Sequence, residues 1–134
     1  MKKIAAVTLA VAMQGVGILA LAPTAQAATT ATCQSAPFTI PGTGKMVQAS
    51  ACIERDGDLV RGVARILNTS TGAVNILLAV NVGNHDMEDF GMCFSVNVSP
   101  GREGQCVSKW LNTTEPVATM TGINSRIAVV ATEV

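Results

Sequence analysis

Residues 93–106 constrain the fold more than any other stretch. Two runs of alternating polar and apolar residues flank a Ser99-Pro100-Gly101 turn signal, and Cys93 and Cys106 sit one on each run. A chain that reverses at Pro100-Gly101 brings these cysteines opposite or nearly opposite each other, within bridging distance on neighbouring strands. The expected element is a disulfide-stapled β-hairpin at the centre of a small β-protein.

The first residues say where such a protein would go. Met1-Lys2-Lys3 is a short basic start, residues 4–21 are almost wholly apolar, and Ala25-Gln26-Ala27 has the small-x-small form that a signal peptidase accepts. A cleaved signal peptide over 1–27 is expected, followed by one secreted, extracellular domain over 28–134. A retained membrane anchor is the alternative; Gln14, Gly15 and Gly17 weaken the apolar run it would need. Removing Lys2 and Lys3 from nine basic residues leaves seven against nine acidic ones, a net charge near −2. That is no footprint for nucleic acid. All four cysteines fall in the exported part, and an even count in an exported domain reads as two disulfides. The hairpin register assigns Cys93–Cys106, which leaves Cys33–Cys52.

Residues 46–68 carry the clearest strand pattern. Asp56-Gly57 is a two-residue turn signal. Folding there sets Ile53 against Val60, Ala49 against Ala64 and Val47 against Ile66. One face then holds Val47, Ala49, Ala51, Ile53, Val60, Gly62, Ala64 and Ile66. The other holds Gln48, Ser50, Cys52, Glu54, Arg61, Val63 and Arg65. Such a split is what a sheet with one dry side requires. Residues 73–83 form the next strand, with Ile76, Leu78, Val80 and Val82 on one side. Residues 90–98 and 104–111 are the stapled hairpin, the second arm alternating poorly enough to imply a bulge or a sheet edge. Residues 126–134 are a last strand. Residues 33–45, rich in proline and glycine, read as mostly loop, with a brief edge strand at 38–40. The sum is an all-β fold: a small antiparallel β-sandwich, Ig-like or a partly open barrel, of about six or seven strands with two disulfides.

Candidate chemistry is sparse. His85-Asp86-Met87-Glu88-Asp89 is the densest group of metal-capable ligands, but it lacks the spacing of a calcium loop and has no second histidine. We expect a solvated loop, with no metal and no cofactor. Ser95, Ser99 and Ser108 have no nucleophile elbow around them, and His85 is the one imidazole that could serve as a base. A small hydrolase using His85 and the neighbouring carboxylates is the alternative to a non-catalytic chain. For binding, Arg61 and Arg65 project from one face, Arg55 lies near them across the turn, and Trp110 could anchor an interface. These four residues are the candidate surface for an extracellular protein, glycan or cell surface, and a monomer is expected. Asn68-Thr69-Ser70 and Asn112-Thr113-Thr114 match the N-glycosylation pattern.

The order of export signal, Val47-Gln48-Ala49-Ser50-Ala51-Cys52, β-meander and cysteine-bearing hairpin with Pro-Gly at its tip resembles small secreted β-sandwich proteins of actinobacteria. That group carries no assigned activity, so the resemblance implies a fold and export but no site. Size, export and four cysteines are also similar to the tendamistat-type α-amylase inhibitors. Those bind through a Trp-Arg-Tyr segment; here Lys109 and Leu111 flank Trp110 and the chain has no tyrosine, so that activity is not carried over.

Overall fold

A computed structural model describes residues 29–134. The expected signal peptide, 1–27, lies outside the described residues. The described chain is all-β. Its strands are β1 (Thr30–Thr39), β2 (Met46–Asp56), β3 (Leu59–Asn68), β4 (Val74–Gly83), β5 (Glu88–Val98), β6 (Glu103–Val107), β7 (Leu111–Asn112), β8 (Ala118–Ile123) and β9 (Arg126–Thr132). They form two antiparallel sheets. Sheet A runs β1-β2-β3-β6, with β7 also on β3; sheet B runs β5-β4-β8-β9. Among the described residues no helix is long and apolar enough to cross a membrane.

The dry face expected of the first hairpin is the dry face observed. All eight of its residues, from Val47 to Ile66, are buried. The register, however, sits two residues further along. Ala49 pairs with Ile66, Ala51 with Ala64 and Ile53 with Gly62, and Asp56 and Leu59 close the hairpin. The central turn residues are Gly57 and Asp58, not Asp56 and Gly57. Gly57 has φ +62°, and Asp58 is not among the positive-φ residues, so glycine occupies the first central position, as a II′ turn requires. A slip of two leaves every side chain on its own face, whereas a slip of one would have turned the sheet inside out.

β4 packs the matching layer. Val74, Ile76, Leu78, Val80 and Val82 are buried, and with Val47, Ile53, Val60, Ile66 and Ile123 they fill the space between the sheets. Burying each such side chain contributes roughly 1.5–3 kcal/mol. Gly62 lets the sheets approach closely. A Cβ there would press on Thr119 Oγ1 and come within 2.9 Å of Val80 Cγ2.

Two expectations are corrected. Residues 33–45 are mostly strand, not loop: β1 pairs with β2 from Thr30 opposite Arg55 to Thr39 opposite Met46. As the edge of sheet A it can hold Pro37, whose missing N–H costs nothing on a solvent side. The second correction concerns residues 93–106. The cysteines pair as assigned, Cys33 with Cys52 and Cys93 with Cys106, but β5 and β6 are not a hairpin. β5 is an edge of sheet B and β6 an edge of sheet A, so Cys93–Cys106 laces two sheets together along one side of the sandwich. The Pro100-Gly101 turn is a corner between layers.

Asn68 holds that corner. The Gly101 N–H donates to Asn68 O, and the Asn68 N–H donates to Arg102 O. The Asn68 side chain, 1 % exposed, donates to Val98 O and Gly72 O and accepts from the Ser70 N–H and hydroxyl. The chain can therefore leave sheet B at Val98 and enter sheet A at Glu103 without orphaning its buried backbone groups.

Candidate functional site

The outward face of sheet A carries the polar half of the first hairpin. Arg61 on β3 lies opposite Glu54 on β2, and Arg65 lies two pleat repeats along, opposite Ser50. Outward-facing cross-strand neighbours sit close enough to pair. Arg61 Nε donates to Glu54 Oε1 at 2.8 Å. Arg65 Nη2 is 3.9 Å from Glu54 Oε2, and its Nε donates to Gln105 Oε1 on β6 at 3.1 Å. Glu54 thus stands between two guanidinium groups and fixes their spacing, and Asp56 and Glu103 share the face by register.

Trp110 joins this face because the edge strand is broken. β6 and β7 both pair with β3, and residues 108–110 bulge between them. Ser108 pins the bulge: its N–H donates to Gly62 O, its hydroxyl accepts from the Gly62 N–H and donates to Lys109 O. The poor alternation of residues 104–111 was the signal for this break. The Arg61 guanidinium carbon lies 4.7 Å from the centre of the Trp110 ring, a cation–π contact of about 0.5–1 kcal/mol at a solvated site. Trp110 remains 41 % exposed. Arg61, Arg65 and Trp110, proposed from sequence as parts of one surface, are contiguous.

Arg55 is on the other side. Its strand position has the parity of Ala51 and Ile53, so it points between the sheets at their open end. Its Nε and Nη2 donate to the two oxygens of Glu133 at 3.0 and 2.9 Å, Nη1 donates to Thr113 O and Nη2 also to Glu115 O. These bonds raise the guanidinium pKa, chiefly through Glu133. They lower that of the Glu133 carboxyl, which also accepts from the Val117 N–H. Sequence reasoning could not see this role because the partner is 78 residues away.

The His85 loop is open to solvent. His85 Nε2 lies 3.4 Å from Asp86 Oδ1, and ligand atoms of His85, Asp86 and Glu115 fall within 4.8 Å of one another, all three residues being exposed. Ser108, bonded as above, is buried and Ser99 exposed; the side chain of Ser95 lies outside the described ones. The two disulfides fit an oxidising compartment. No protein-family model, curated protein or solved structure matches the chain significantly.

Proposed function

We propose that this chain is a secreted, non-catalytic binding module that engages an anionic extracellular partner, protein or glycan, through the outer face of sheet A. The observation that carries the reading is the Arg61–Trp110 stack with Arg65 beside it on a rigid sheet. An exposed aromatic plane under a planar cation gives a partner both apolar contact and a charge-assisted hydrogen bond. Glu54 and Gln105 hold both arginines in place before any partner arrives, which lowers the ordering cost of binding. Export and removal of residues 1–27 belong to the same proposal, and the two disulfides support it.

The test is capture from the producing culture with the protein as bait, compared with an Arg61→Ala/Arg65→Ala/Trp110→Ala variant. All three side chains lie outside the core, so the variant should unfold at the same denaturant midpoint as the parent. It should retain at most about a tenth of the captured partner, the loss expected for hot-spot residues. Equal capture by both would refute the face. Substrate turnover that vanished with His85→Ala would replace the reading with catalysis.

A further inference from the structure

The middle of the outer face of sheet B is hollow. By register, Met92, Ala79, Gly122 and Ile127 form one row across β5, β4, β8 and β9, and Phe90, Asn81 and Met120 form the next across β5, β4 and β8. The first row is low in its centre, where Ala79 and Gly122 stand, and high at both sides. Phe90, 56 % exposed, and Ile127, 64 % exposed, rise as walls. Leu77 and the turn residue Ser125 border one end and Asn81 and Met120 the other, around a recess of about 230 Å³. The fold does not require glycine at 122. A Cβ there would make ordinary contacts, 3.6 Å to Arg126 O and 3.7 Å to Ala79 Cβ, and its φ is not left-handed. Glycine weakens a strand interior unless something must approach it closely. Nothing within the described chain does.

The polar groups select the occupant. Asn81 alternates with the buried Val80 and Val82, so its side chain stands on this outer face, between Phe90 and Met120. Its backbone carbonyl accepts from the Thr119 hydroxyl, but its side-chain amide has no hydrogen-bond partner among the described residues. That half-buried amide offers a donor and an acceptor beside apolar walls. The other polar groups at the border are neutral. They are Ser125 and the carbonyl of Arg126, whose own side chain the register sets level with the buried Ile123. Among the described residues no acidic side chain lines the recess. We propose that the recess binds a small uncharged molecule, an apolar ring body with one hydroxyl group, the hydroxyl bonded to the Asn81 amide.

Size agrees. A closed apolar cavity of about 150 Å³ takes benzene, so this larger, half-open recess suits a substituted ring of about ten non-hydrogen atoms. Apolar walls with one placed polar group are the usual make-up of a small-molecule site. Met92 and Met120 are unbranched and can settle against the shape of a guest. A flat protein surface would rest on Phe90 and Ile127 and leave the Asn81 amide unbonded. The inference does not depend on the sheet A face, which points the opposite way.

The probe is 4-ethylphenol, a substituted ring with one hydroxyl, and ethylbenzene is its counterpart without one. The protein is purified from an oxidising host and labelled at its methionine methyl groups for NMR. 4-Ethylphenol should shift the Met92 and Met120 signals and leave those of Met46 and Met87, which do not line the recess, in place. Its Kd should be about 0.1–1 mM, as suits so small a molecule in an open site. Asn81→Leu should weaken 4-ethylphenol about three- to tenfold and leave the ethylbenzene shifts within about twofold. Gly122→Leu should abolish both responses with the unfolding midpoint unchanged; if that variant fails to fold, the Asn81→Leu comparison still decides. No shift at either methionine up to about 5 mM probe overturns the proposal, as does 4-ethylphenol binding that is the same in parent and Asn81→Leu. So does a mass that rises with protein concentration and stops rising in Gly122→Leu, since that outcome assigns the face to a second copy of the chain.

Discussion

Arg55 and Glu133 form a two-pronged ion pair, Nε to Oε2 at 3.0 Å and Nη2 to Oε1 at 2.9 Å, across the open end of the sandwich. It joins the end of β2 in sheet A to the residue just after β9 in sheet B. Both side chains are largely covered, so water screens the pair less than it would at the surface.

A pH dependence follows. The Arg55 hydrogen bonds hold the Glu133 carboxyl below its unfolded value, which is about 4.3. A lowered folded-state pKa gives stability that is present above the unfolded value and lost as pH falls through the folded one. Denaturant titrations at pH 6 and pH 3 should show the parent losing more stability than Glu133→Gln, which lacks the titrating group. At pH 6 the variant should be weaker by about 1–3 kcal/mol. Equal losses in parent and variant would show that the pair is not a source of the pH dependence.

Asn68 is the second test. Asn68→Ala removes the side-chain partners of the Val98 carbonyl and the Ser70 N–H in a buried corner and leaves the Gly72 carbonyl only the Ser70 hydroxyl. We expect a cost of about 2–4 kcal/mol in urea unfolding, and a similar cost for Asn68→Asp, which removes the amide donor. The buried, bonded amide also cannot carry a sugar in the folded chain. In a glycosylating host, peptide mapping should find any N-glycan at Asn112, which is exposed, and none at Asn68.

Gly62→Ala should destabilise by about 1–3 kcal/mol, because the added methyl overlaps Thr119 Oγ1 and crowds Val80. The thermal midpoint of the double variant Gly62→Ala/Thr119→Ser should stay low, since Thr119 Oγ1 remains. Adding Val80→Ala to Gly62→Ala should recover less than it removes, because it opens a cavity. A neutral Gly62→Ala would mean that the sheets can part there at no cost.

Calcium and zinc titrations of the His85 loop should be flat by calorimetry. His85, Asp86 and Glu115 converge, yet each is exposed, and structural sites rely on held ligands with a second shell behind them. A one-to-one isotherm in the micromolar range, absent in His85→Ala, would refute this.

What the sequence made legible was periodic and local. The alternation over residues 46–66 identified all eight dry positions, because a buried face leaves its mark on every second residue. The same period hid the true register, since shifts of two are silent. The pairing Cys93–Cys106 was reached from a hairpin that does not exist; the same turn and spacing serve a corner between sheets, and only Asn68, far off in sequence, tells the two apart. Arg55 was placed with Arg61 by proximity to the turn, while its parity and its distant partner Glu133 put it on the opposite face. The apolar outer face of sheet B was visible piecemeal in Phe90, Met92, Met120 and Ile127, but strand order alone makes them neighbours.

The Cys33–Cys52 bond has a mechanical consequence. Pulled from its leading end, an edge strand unzips one pair at a time, and each step needs little force. β1 offers only Thr30, Ala31 and Thr32 before Cys33, which sits directly opposite Cys52. Unzipping therefore stops after three pairs, and the load passes through the sulfurs into β2, a central strand that must be sheared from two neighbours at once. A molecule tethered by that end would hold under tension in oxidising surroundings. In reducing ones it would peel along the whole of β1 and bare the edge of β2.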